Sequence, residues 1–193
     1  MVQVFPQSVR DLTLKQWTVE DYHRMLGAGI LSSEDRVELL EGQIVERVPQ
    51  NPPHASRIDD GGDYLKALFA QRAKVRVQLP VTLAPGSEPE PDFAIVRPDP
   101  NRYRDRHPGP QDILLLIEVA DATLTRDRTH KAAIYAKAGI PEYWIIDLPQ
   151  RQMIVLHDPQ GETYQQEQIL GADDQRAPLQ CPEVTVNLRY LLL

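Results

Sequence analysis

The chain has 193 residues, 41% of them hydrophobic, with 21 Lys+Arg against 28 Asp+Glu for a formal net charge of −7. That length and apolar fraction suit one folded domain over residues 1–193 and exclude a disordered chain. The acidic balance excludes a protein that holds nucleic acid chiefly by bulk positive charge, and the lone Cys181 excludes an internal disulfide or a thiolate zinc cluster and fits a cytoplasmic setting.

The N-terminus, MVQVFPQSVR, shows no apolar export segment, and the longest apolar run, Ile113 to Ile117, falls far short of the ~20 residues that span a bilayer. Thr18 to Ala28 is predicted as a short helix capped by Thr18 with Asp21 and ended by Gly27/Gly29. VELL and QIVERV around Glu41-Gly42 predict a hairpin. His54 to Ala70 predicts a helix with Ile58, Leu65, Leu68 and Phe69 inward, weakened by Gly61-Gly62. Lys74 to Leu83 alternates as a half-buried strand, and Asp92 to Val96 is a short strand entered through Glu88-Pro89-Glu90-Pro91. Asp112 to Ala120 is apolar almost throughout, as a central strand covered on both faces would be. A helix from Thr125 to Ala138, capped by Thr125 and stopped by Gly139 and Pro141, precedes strands at Glu142–Asp147 and Gln152–His157, with further strands at Glu162–Gln168 and Val184–Asn187. The expected fold class is α/β with a mixed sheet, the crossover helix joining two parallel neighbours. Its core covers about 14–156, and an acidic strand extension covers 157–193.

Glu118 stands near the end of the most apolar strand, where an isolated carboxylate would cost several kcal/mol unless paired, protonated or bound to a cation. Asp92 opens another strand, and two carboxylates at adjacent strand ends suit a hard cation such as Mg²⁺. Lys131, on the crossover helix, can reach over that strand end if the helix packs back on the sheet; an exposed lysine paired with Asp127 is the competing reading. An amine there would serve a bound water or a phosphoryl oxygen.

Pro91-Asp92, then IEVAD at Ile117–Asp121, then DRTHKAAIYAKAGIPEYWIID from Asp127 to Asp147, with VELLEGQIV at Val37–Val45 and His54 upstream, resembles the Uma-two family of restriction-endonuclease-like proteins in the PD-(D/E)XK nuclease superfamily. The resemblance implies a restriction-endonuclease-like core and a Mg²⁺ (or Mn²⁺) ion held by Asp92, Glu118 and the Val119 carbonyl. It also implies a helix acid at Glu38 and a catalytic lysine displaced to Lys131, since the usual position two after the acid is Ala120. His54 and Tyr135 are accessory candidates, Glu142 reads as an ion-pair partner and Trp144 as core. Arg97, Arg102, Arg104 and Arg106, in the loop between the two carboxylate strands, read as a basic arm for a phosphate backbone. His23, His107, His130 and His157 show no metal-ligand spacing.

The implied function is a Mg²⁺-dependent endonuclease hydrolysing DNA; the alternative is an inactive nuclease-fold module that binds DNA or protein. DNA binding is expected to be weak or metal-dependent. A homodimer is expected, because double-strand cleavage needs two sites and the apolar tail Tyr190–Leu193 could pack on a partner, or equally close its own fold. No Gly-rich phosphate loop, HExxH pair or Ser/Cys nucleophile motif supports other chemistry.

Overall fold

A computed structural model describes residues 13–83 and 85–193; Met1–Arg10, the segment inspected for export signals, lies outside them. Helix α1 (Val19–Gly27) starts at a capping box in which the Thr18 hydroxyl accepts from the Asp21 N–H and the Asp21 carboxylate accepts from the Thr18 N–H. Strands β1 (Val37–Leu40) and β2 (Gln43–Glu46) form a separate two-stranded hairpin. Its turn needs left-handed backbone at Glu41 (φ 47°) and Gly42 (φ 75°), and a Cβ on Gly42 would meet Gln16 and Trp17, so only glycine fits. Glu88 N–H bonds the Leu39 carbonyl at 2.7 Å, which ties this hairpin to the segment preceding Asp92.

Helix α2 (Pro52–Phe69) begins earlier than its apolar pattern suggests, because Asn51 caps it and Pro52-Pro53 occupy the first turn. The Gly61-Gly62 pair does not break it. A Cβ on Gly61 would lie 3.2 Å from the Phe93 ring and 3.3 Å from Leu191, so the glycines let the helix approach the sheet. Strand β3 (Lys74–Val77) is four residues, not the ten that the alternation predicts, because Gln78 turns left-handed (φ 50°). Strands β4 (Phe93–Val96), β5 (Ile113–Ala120), β6 (Glu142–Asp147), β7 (Gln152–Gln160) and β8 (Thr163–Leu170) complete a six-stranded sheet of order β3-β4-β5-β6-β7-β8. Only β5 and β6 run parallel, joined by the expected crossover helix.

That crossover helix, α3 (residues 124–137), starts after Thr123 with no side-chain cap, earlier than the expected cap at Thr125, and its middle, Asp127–Lys131, is a π-helical turn flanked by Leu124–Arg126 and Ala132–Lys137. Two short strands, β9 (Gln175–Arg176) and β10 (Val186–Asn187), pair outside the main sheet, and α4 (Arg189–Leu192) follows.

All eight residues of β5 are buried, and alternation divides them between two layers. Leu115, Ile117 and Val119 join Trp144, Ile146 and Val155 under Leu65 and Phe69 of α2. Leu116 and Ala120 join Tyr143, Ile145 and Ile154 under Ile134 and Tyr135 of α3. Glu118, between Leu116 and Ala120, therefore faces α3. In the C-terminal tail, Leu191 and Leu192 pack into the α2 layer, so those two residues close their own fold rather than wait for a partner. Among the described residues no helix is long and apolar enough to cross a membrane.

Candidate active site

The antiparallel register pairs Phe93 with Ile117, which sets Asp92 beside the C-terminal end of β5. Its Oδ2 accepts from the Val119 N–H at 2.8 Å, and its Oδ1 from the Gln78 amide at 3.1 Å. The break that ends β3 at Gln78 thus places a donor on Asp92. His54, on the first turn of α2, brings Nε2 to 3.4 Å from Asp92 Oδ2. Burial opposes the charge on Asp92, but His54, the Val119 amide and Gln78 prevail and hold its carboxyl below the ordinary range. Reciprocally, Asp92 raises His54, against burial.

Glu118 is 4% exposed, and Oε1 accepts two hydrogen bonds, from Lys131 Nζ at 2.8 Å and from Tyr135 OH at 2.7 Å. Burial pushes Glu118 up to about 8, against the pull of Lys131. Lys131 is itself 3% exposed and lies 3.6 Å from Glu38, whose carboxylate also accepts from the Glu90 N–H at 3.1 Å. Burial works against the ammonium, but Glu118, Glu38 and Asp127 outweigh it and raise the lysine above its usual value. Lys131 is therefore a buried cation held by two glutamates, not the exposed partner of Asp127. An interior ammonium costs several kcal/mol to desolvate, so such a placement points to a role beyond stability.

The π-helical turn aims both Asp127 and Lys131 inward, four residues apart. Widened turns of this kind recur at functional sites because they reset which side chains face the core. Asp127 Oδ2 accepts from the Thr123 hydroxyl, while Oδ1 is buried without a hydrogen-bond partner, with Arg126 Nε 3.6 Å away. Burial raises the Asp127 carboxyl, partly offset by Lys131.

One cleft is lined by Glu38, His54, Asp92, Glu118, Val119 and Lys131, together with Asp127, Glu90, Arg47 and Arg126. Tyr135 lies beneath it, bonded to Glu118 and edge-on to Tyr143 at 4.9 Å. Val119 packs its side chain in the α2 layer and gives its N–H to Asp92. Sequence reasoning gives Asp127 only the part of an ion-pair partner for Lys131, and gives Glu90 and Arg126 none. Asp127 had a usable signal, four residues before Lys131 on one helix face, but only the π turn shows that this face is the buried one.

The structure places the arginine loop away from the cleft. It leaves β4 at Val96 and re-enters at Ile113, opposite ends of the paired strands from Asp92 and Glu118, which is about 13 Å of strand at ~3.3 Å per residue. Arg97 Nε bonds the Gln111 carbonyl, Arg106 pairs with Asp99 and Asp112 and stacks on Tyr103, and Arg102 and Arg104 line a separate groove with Arg72 and Lys74. The loop connects the two carboxylate strands without approaching their functional ends. Glu142 pairs with Arg176 at 3.0 Å, and Trp144 is fully buried. His23 and His107 lie close together on either side of Glu88, despite their separation in sequence.

Residues 19–189 match the family model Uma2, described as "Putative restriction endonuclease". A crystal structure described as a putative nuclease belonging to DUF820 from Anabaena variabilis ATCC 29413 aligns with a TM-score of 0.68 at 16% identity, covering 91% of this chain and 97% of that one. That likeness establishes a shared fold, a mixed central sheet flanked by helices. No curated protein matches the sequence. A family pattern that runs from Val19 to Arg189 and takes in every residue of the cleft makes this chain a member of the Uma2 family.

Proposed function

We propose that the cleft is the active site of a divalent-cation-dependent endonuclease that hydrolyses DNA phosphodiester bonds. The observation that carries the reading is the Lys131 ammonium, buried between Glu118 and Glu38 at the end of β5 and facing a cleft that also holds Asp92. The donor types suit Mg²⁺ or Mn²⁺: Asp92, Glu118 and Asp127 are hard oxygen donors lining one cleft, and Asp127 Oδ1 is buried with no hydrogen bond to satisfy it, although the three carboxylates would have to draw together to share one ion, since their oxygens do not all lie within 4.8 Å of one another. When bound, the cation would lower the pKa of a water and draw charge from a phosphoryl oxygen.

The remaining work falls to the chain. Lys131 stabilises charge on the phosphate and takes up the position left empty of lysine at Ala120. Tyr135 and Lys131 together fix the orientation of Glu118, and His54, Gln78 and the Val119 amide fix Asp92. Glu38 supplies the countercharge that keeps Lys131 protonated. Arg126 and Arg47, at the cleft rim, replace the distant arginine loop as candidate phosphate contacts. The test is nicking of supercoiled plasmid. Cleavage should need Mg²⁺ or Mn²⁺ and stop with EDTA; metal-independent cleavage, or none with any divalent cation, contradicts the reading.

A further inference from the structure

A second cluster lies outside this cleft, where α1, the segment before Asp92 and the loop after β4 meet. Glu88 is buried, its side chain 2% exposed, yet its ion-pair partner among the described residues is a histidine rather than a Lys or Arg. Oε1 sits 2.6 Å from His23 Nε2, and Oε2 accepts from the Thr82 hydroxyl at 2.6 Å. His107 closes the group, its ring centroid 6.2 Å from that of His23 and nearly perpendicular to it, with Nδ1 buried and making no hydrogen bond. One ligand atom from each of His23, Glu88 and His107 lies within 4.8 Å of the others.

We propose that His23, Glu88 and His107 form a binding site for a divalent transition-metal ion, with Zn²⁺ the best fit. Two imidazoles and one carboxylate are the donors zinc prefers after thiolate, and three protein ligands leave a fourth position for water. Ligand atoms ~2.1 Å from a zinc sit about 3.4 Å apart in a tetrahedron, so the group must contract by about 1.4 Å at its widest. His23 can supply that movement, since its side chain is 48% exposed and rides on a surface helix. Thr82 already does what outer partners of metal-bound carboxylates do, fixing one oxygen and leaving the other to the metal. Burial keeps His107 below its ordinary pKa, and so neutral at pH 7, the form that ligates. Glu88 has no Lys or Arg within ion-pair distance among the described residues, and a divalent ion would supply that countercharge. Because its ligands come from three separate segments, the bound ion would staple α1 and the 97–112 loop to the strand entry that carries Glu90 and Asp92.

The test uses the full chain, stripped with EDTA and dialysed, in excess Mg²⁺ to occupy the cleft. Titration with Zn²⁺ should show one site of micromolar affinity or tighter and a raised melting temperature, and Co²⁺ in its place should give visible absorption bands of tetrahedral coordination. His23→Gln, an exposed change that spares the fold, should weaken Zn²⁺ at least tenfold, as should His107→Gln, while Asp92→Asn should leave binding unchanged. Zn²⁺ binding that ignores His23→Gln but disappears in Asp92→Asn, or no binding above millimolar affinity, overturns the proposal.

Discussion

Replacing Lys131 by methionine separates a buried functional cation from an ordinary helix lysine. An exposed lysine in an ion pair contributes ~0–1 kcal/mol. Lys131 is 3% exposed, 2.8 Å from Glu118 and 3.6 Å from Glu38, and neither carboxylate has another cation within ion-pair distance among the described residues. Lys131→Met leaves two buried acids uncompensated, at a cost of about 3–5 kcal/mol at pH 8. Protonation of Glu118 limits that cost by ~1.4 kcal/mol per pH unit, so the loss should shrink on acidification. Adding Glu118→Gln to Lys131→Met removes one of the stranded charges and should recover about 1–3 kcal/mol, a coupling that urea denaturation of the four proteins measures. A Lys131→Met loss below ~0.5 kcal/mol with no pH dependence would show that the amine does not reside between those glutamates.

Burial raises the Glu118 carboxyl, so the fraction of it that is protonated must lose its proton to accept a cation, and Mg²⁺ binding should release more protons at pH 6 than at pH 9; calorimetry in buffers of different ionisation enthalpy reads this, and a release that does not change with pH refutes it. His54 is raised in the folded state, so its contribution is present below 6.5 and lost as pH climbs through the elevated value, whereas that of Asp92, which is lowered, is present above 3.8 and lost as pH falls through the depressed value. His54→Gln should therefore remove about 1 kcal/mol near pH 5.5 and little at pH 8.5, by urea midpoints; an equal loss at both would deny the pair. Gly61→Ala should lower the melting temperature, because its Cβ presses on the fully buried Phe93, while Gly27→Ala, with nothing within 4 Å, should hold or raise it. Arg102→Ala with Arg104→Ala should leave cleavage within about twofold, since neither lines the cleft.

What the sequence makes legible follows from local physics. The unbroken apolar run of β5 marks a strand buried on both faces, and an acid within it is conspicuous for that reason. The parallel pairing of β5 and β6 follows from the helix between them. Tertiary contacts explain the rest. Clean alternation through Leu83 conceals the left-handed Gln78, because periodicity records burial and not hydrogen bonding; Val81 and Leu83 are buried, but against the α3 layer rather than in the strand. Gly61-Gly62 reads as a helix breaker by propensity and proves to be a contact surface for Phe93. The arginine loop adjoins both carboxylates in sequence, yet antiparallel pairing sends a connection between neighbouring strands to the end away from Asp92 and Glu118. Nothing in local spacing announces a π turn, so the i, i+4 spacing of Asp127 and Lys131 does not reveal that their shared face is the buried one.

The central claim is that the carboxylates buried at the end of β5 hydrolyse phosphodiesters with a divalent cation. Its most direct measurement is the Mg²⁺-dependent nicking rate of Glu118→Gln beside that of the unaltered protein, both shown by urea denaturation to be folded under assay conditions. The isosteric amide keeps the Tyr135 hydrogen bond but cannot carry the charge a cation requires, so the rate should fall by at least ~10²-fold. Cleavage by folded Glu118→Gln at the unaltered rate would contradict the account.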